Sequence, residues 1–225
     1  MSLVKDIQQI TERTYEKVSG LNLEEFVVGK RRYWALNELC TQHTRGLSDL
    51  ARIFFRVVGD QLYMAIYYSD TMIRTLENND PRRGLNEKNI LSFLIFVEEL
   101  NHAVHAALKF LAGERQLQTE DFIRDLELQA KIDCYQTLKF FVAYFNDSKQ
   151  LEYWDRLWLR FHLFERGIYA YENPNLRSRY HETNLLGEKY TRYLDSLNPQ
   201  HRLNEIRRFR GKPYPIKKRY IQMLP

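Results

Sequence analysis

Glycine and proline are scarce in this chain of 225 residues, at nine and six, and most of them fall between periodic segments. That shortage favours an all-α fold, and neither strand alternation nor an internal repeat is visible. Cysteine is almost absent. Cys40 and Cys134 are far apart, with no Cys-x-x-Cys and no zinc-like spacing, and read as reduced, buried thiols of a cytoplasmic protein. The N-terminus mixes polar and apolar residues and lacks the apolar core of a secretory signal. No apolar run is long enough to cross a bilayer: the most apolar stretch, Ile53 to Tyr68, is interrupted by Arg56, Asp60 and Gln61. A phosphate loop, a dinucleotide fingerprint, a nucleophile elbow and kinase motifs are all missing, so phosphoryl and hydride transfer drop out as leading readings.

What the chain does contain is aromatic and helical. Fifteen tyrosines and thirteen phenylalanines predict an aromatic-rich core. Hydrophobic periodicity predicts helices over residues 3–18, 23–45, 48–76, 86–111, 119–145, 152–172 and 176–197. Thr119 is an expected N-cap, Gly113 an expected stop, and Asn173-Pro174 and Asn198-Pro199 expected breaks. The fold class is therefore all-α, a single-domain bundle of about six or seven helices.

The net charge of +5 is unevenly placed, because residues 202–219 carry eight Lys or Arg against one acid, Glu205. The division expected is a helical domain over residues 1–200 and a basic, partly extended tail over 201–225, since Gly211-Lys-Pro-Tyr-Pro breaks helices. The tail suggests an arm, a homodimer contact or a nucleic-acid contact. Against nucleic acid, no recognised binding module accompanies it and its aromatics are few.

Carboxylates and histidines at inward positions carry the functional reading. Glu98-Glu99-Leu100-Asn101-His102-Ala103-Val104-His105 is the densest cluster, inside an apolar run. Side chains three or four residues apart share one side of a helix, so Glu99 and His102 form a Glu-x-x-His step that can offer two ligands to one ion. Glu98 and His105 lie two turns apart. The main apolar face of this helix is Phe93, Val97, Leu100, Val104, Ala107 and Leu111, which places the cluster opposite it, in solvent or in a second packed layer. Elsewhere, Glu127 lies in a stripe with Cys134, Leu138 and Phe141, with Lys131 one turn on as a plausible partner. Asp60 lies in a stripe with Val57, Met64 and Tyr67, and His162 and Glu165 form the reverse step beside Trp154 and Trp158. Each acid has a plainer reading as half of an ion pair or as a hydrogen-bonded core residue. Glu38 is a further bridging acid to consider, while His43, His181 and His201 have no paired carboxylate at ligand spacing.

The helices with Glu99-Leu-Asn-His102 resemble the ferritin-like di-iron carboxylate bundles, and the Glu98 to His105 spacing is similar to that of heme-oxygenase-like di-metal proteins. A second forward Glu-x-x-His is lacking, with only His162-Leu-Phe-Glu165 in its place. The resemblance implies an oxidoreductase or oxygenase with two iron ions or an iron–manganese pair, acting on a small-molecule substrate. It implies one ion held by Glu98 or Glu99 with His102 and His105. The other would be held by Glu127, His162 and Glu165, with Asp60 bridging or supporting. Two rival expectations remain open: a non-catalytic helical interaction protein whose acids pair with cations, and a bundle enclosing a small organic ligand near Trp154, Trp158, Tyr63 and Tyr67.

Overall fold

The computed structural model describes residues 2–39, 49–166 and 173–225. Among the described residues the protein is predominantly helical, with a small three-stranded sheet near its N-terminal end. Helix α1 spans Leu3–Tyr15, and a 3-10 turn (Leu23–Phe26) leads into the short strand β1 (Val27–Val28) and helix α2 (Lys30–Glu38). Strands β2 (Ala51–Val58) and β3 (Gln61–Tyr68) precede helix α3 (Asp70–Asn78). The two long helices follow, α4 (Ile90–Leu111) and α5 (Glu120–Phe145). Helix α6 (Tyr153–Arg160) passes into a π-helical turn (Phe161–Glu165), and α7 (Pro174–Ser196), α8 (Pro199–Arg210) and α9 (Tyr214–Met223) complete the chain.

The helix expected over 48–76 is instead a β-hairpin followed by a short helix. Strands β2 and β3 pair antiparallel from Ala51↔Tyr68 to Val58↔Gln61, and β1 adds to β3 in parallel. Gly59-Asp60 is the two-residue turn, and Gly59 has φ +58°, the conformation that such turns demand of their first central residue. Phe, Ile, Val and Tyr dominate both flanks, and aromatic and β-branched side chains suit a half-buried pleated surface. A nearly continuous apolar run satisfies helical and strand spacing alike, so periodicity alone misassigns it.

The helix expected over 23–45 is also divided into the 3-10 turn, β1 and α2. Residues 40–48, with Cys40 and His43, lie outside the described residues, as does the end of the 152–172 segment. The other long helices form where expected. Thr119 caps α5 by accepting from the Phe122 amide, and Gly113 ends α4 with φ +93°.

Helix α4 is central, against α5, α1, α3 and the sheet. By length and composition it is the one described helix that could cross a membrane, but most of it is buried in the protein. One core joins Phe93, Val97, Leu100 and Val104 of α4 with Leu138 and Phe141 of α5 and with Ile66 of β3. A second joins Leu128 and Ile132 of α5 with Tyr190 and Leu194 of α7, Phe209 of α8 and Ile221 of α9.

The basic segment expected to be partly extended forms α8 and α9, with only residues 211–213 between them. Asn198 caps α8 with Pro199 in its first turn, and Pro215 occupies the first turn of α9, where its missing N–H costs nothing. Two tail cations point inward, Arg210 to Asp133 at 2.8 Å and Lys217 to Asp125 at 2.7 Å, while Arg207 pairs at the surface with Glu16 at 2.7 Å. Lys218 pairs with Glu182 of α7.

Candidate metal centre

Both faces of α4 are covered, which resolves the question the sequence left open. The face carrying Glu98, His102 and His105 packs against α5, and the antiparallel helices set polar residues opposite each other along a seam. Glu98 meets Lys131 at 2.9 Å, His102 meets Glu127 at 3.8 Å, and His105 meets Asp125 at 3.0 Å.

The middle of this seam is the one described cluster with the ligand types and spacing for a metal ion. One ligand atom each from Glu98, His102 and Glu127 lie within 4.8 Å of one another. Tyr180 of α7 donates to Glu127 Oε1 at 3.1 Å. His102 Nδ1 and Glu127 Oε2 are buried and have no hydrogen-bond partner among the described residues. A buried polar atom without a partner costs free energy unless a water or ion completes it. Carboxylate and imidazole donors suit iron, manganese or zinc. Bonds of about 2.1 Å put ligands at most about 4.2 Å apart, so an ion would draw this cluster in slightly. The residues present fit such an ion.

The three acids are not electrically equivalent. Burial pushes the Glu98 carboxyl up, but the Lys131 ammonium and His102 outweigh it and leave its pKa below the ordinary value. Burial raises Glu127, against His102 and Lys131. Glu99 is pushed up to about 7, first by burial and then by Glu98 and Glu127, although His102 and the Ile53 backbone amide favour its charged form. Glu99 therefore stands beside the cluster, between it and strand β2, as a group that exchanges a proton near neutrality.

The other expected ligands are elsewhere. His105 is held by Asp125, which also meets Lys109 at 3.2 Å and Lys217 at 2.7 Å, so this end of the seam carries its own cations. Burial depresses the His105 pKa to about 3 despite Asp125, so its neutral ring donates from Nε2 to the carboxylate. His162 lies in the π-helical turn, against Glu87 at 2.9 Å, with Trp158 donating to the same carboxylate oxygen. Glu165 is exposed at the end of that turn. Asp60 is at the hairpin tip with its side chain 94% exposed, 3.5 Å from Arg115. Asp60, His162 and Glu165 thus do not join Glu98, His102 and Glu127. Glu38 is exposed on α2, and His181 and His201 are exposed as well.

Sequence reasoning missed Tyr180 and the partner of Lys131. Lys131 was visible one turn after Glu127, but its ammonium crosses to Glu98 on α4 instead. Nothing in the α7 sequence marks Tyr180 as a donor to an acid on another helix. Compared with known proteins, the chain matches no family model, no curated protein and no solved structure.

Proposed function

We propose that this protein is a metal-dependent oxidoreductase that holds an iron or manganese ion through Glu98, His102 and Glu127, with Glu99 beside them. The observation that carries the reading is the convergence of three ligand-type side chains from two helices, two of them with unpartnered buried atoms. The two-ion arrangement of ferritin-like and heme-oxygenase-like bundles needs a second ligand set, and Asp60, His162 and Glu165 are too dispersed to supply it. A single ion is the form the geometry supports. Such an ion supplies one-electron chemistry with oxygen or peroxide. The protein's own residues then have distinct tasks: Tyr180 orients Glu127, Lys131 fixes Glu98, and Glu99 takes or gives a proton.

The Glu98–Lys131 pair favours a second reading, a helical bundle in which the same residues are a satisfied polar seam and the protein has no catalytic role. Metal content decides between them. Protein purified without chelator is assayed by inductively coupled plasma mass spectrometry beside His102→Ala and His105→Ala. Near-stoichiometric iron or manganese in the wild type and in H105A, lost in H102A, supports the metal reading. A metal-free wild type that does not take up either ion on reconstitution leaves the non-catalytic bundle.

A further inference from the structure

Lys131 is buried to 2% exposure between two of the acids that would hold the ion, an unusual position for an ammonium. We propose that Lys131 sets the affinity of this site: its ammonium acts as an internal counter-ion that competes with a divalent cation for Glu98. The inference rests on the metal reading above and concerns how that site is regulated.

Three observations place Lys131 in this role. Its Nζ lies 2.9 Å from Glu98 Oε1, while the charge it carries is also felt at Glu127. Its stem is fixed by a built feature of α7, where Gly187 faces it. A Cβ at position 187 would stand 3.2 Å from Lys131 Cβ and 3.4 Å from the Phe164 ring. Glycine is a poor helix former, and its presence in the interior of α7 leaves the space through which the lysine runs. Finally, the seam gathers Glu98, Glu99 and Glu127 within mutual electrostatic reach, so a resident cation lets the helices pack when no metal is bound.

A divalent ion entering this cluster meets a like charge in a medium where screening by water is weak. Glu98 must then turn from the ammonium to the ion. Removing the ammonium removes both the repulsion and the competitor, so binding tightens even as the metal-free protein loses stability. Ordinary structural damage at a binding site has the opposite effect on affinity.

The test is calorimetric titration of manganese(II) alone into the wild type, Lys131→Met and Lys131→Arg, with His102→Ala to identify binding at this site. Circular dichroism melting checks that each variant folds. The expected result is binding to K131M about tenfold tighter or more, with K131R near wild type. Binding seen in K131M alone, with none in the wild type, overturns the metal reading of the native protein and with it the regulatory role of Lys131. Equal or weaker binding in K131M, while the wild type binds and H102A does not, overturns the proposal and leaves the metal reading intact. Absence of binding in every protein overturns both. If K131M does not fold, Lys131→Gln keeps a hydrogen-bond donor for Glu98 without the charge, and its affinity is read the same way.

Discussion

Lys217 of α9 sets its ammonium 2.7 Å from an Asp125 oxygen of α5, with the lysine wholly out of contact with solvent. It also donates to Gln129 at 2.7 Å and lies 5.1 Å from the centre of the Phe209 ring. Breaking a buried pair costs about 3–5 kcal/mol when the remaining charge is left alone, and less here because Asp125 keeps Lys109 and the His105 hydrogen bond. Lys217→Met should therefore lower the melting temperature by less than the roughly 6–20 °C of a fully orphaned buried charge. Asp125→Asn should lower it further, because it strands Lys109 as well as Lys217. Thermal denaturation of the two variants beside the wild type checks the order.

A second expectation concerns pH. Glu99 has its pKa raised from 4.5 to about 7 in the folded protein, so between those values the native state holds a proton that the unfolded chain has released. Its contribution to stability is fully present below pH 4.5 and is lost as the pH rises through 7. Glu99→Gln should remove this component. Denaturant titrations from pH 4 to pH 8 should show the wild type losing stability relative to E99Q across that window. Parallel curves would reject the assignment.

His105 predicts the opposite slope. Its folded pKa of about 3 lies below the ordinary 6.5, so the unfolded chain binds a proton that the native state refuses. The stability it contributes is present above pH 6.5 and is lost as the pH falls toward 3. Replacing His105 with Gln, which also donates to Asp125, should flatten that acid limb in the same titration series.

Metal linkage gives a fourth expectation. A ligand that binds only the native state at a hundred times its dissociation constant adds about 2.7 kcal/mol. The melting temperature of the wild type should rise with added manganese and fall back with a chelator. His102→Ala and Glu127→Gln should melt at temperatures unaffected by either addition.

The hairpin turn offers a fifth test, away from the seam. A Cβ on Gly59 would meet nothing within 4 Å, so Gly59→Ala is opposed only by the positive φ of +58°. That conformation costs an alanine roughly 1–2 kcal/mol. Asn, which tolerates it better, should lose less, and chemical denaturation of both variants measures the difference.

The long helices were legible in the sequence because they carry both periodicity and punctuation: Thr119 and Gly113 bound α5 and α4 close to where they were expected. The hairpin was not, since its apolar run is dense enough to suit either period and Gly59-Asp60 is a short signal. The tail misled for another reason. Pro213 and Pro215 exclude a helix interior but not a helix start, and composition cannot show that Arg210 and Lys217 point at acids far back in the chain. At the site, His102 on α4 was readable as a candidate, but the acid that converges with it is Glu98 and not the Glu99 of the Glu-x-x-His step, and the pairing of Glu127 with His102 depends on helix register. Asp60 and Glu165 were placed inward by periods that their segments do not keep: one lies in a hairpin and the other in a π-helical turn.

The inward cations of α8 and α9 also bear on the order of assembly. Asp125 sits in the second turn of α5 and Asp133 at its middle, yet Lys217 and Arg210 belong to the last helices described. Tyr15 of α1 hydrogen-bonds to the same Asp133, and Arg207 of α8 donates to the Thr14 carbonyl at 2.9 Å. During synthesis, α5 emerges with Lys109 of α4 already present for Asp125 but before Arg210, the cation of Asp133, and Lys217, the second cation of Asp125, have been made. The ion pairs of Asp125 and Asp133 are complete only when α8 and α9 are in place, so these contacts join segments far apart in sequence and bring a high cost of loop closure to folding.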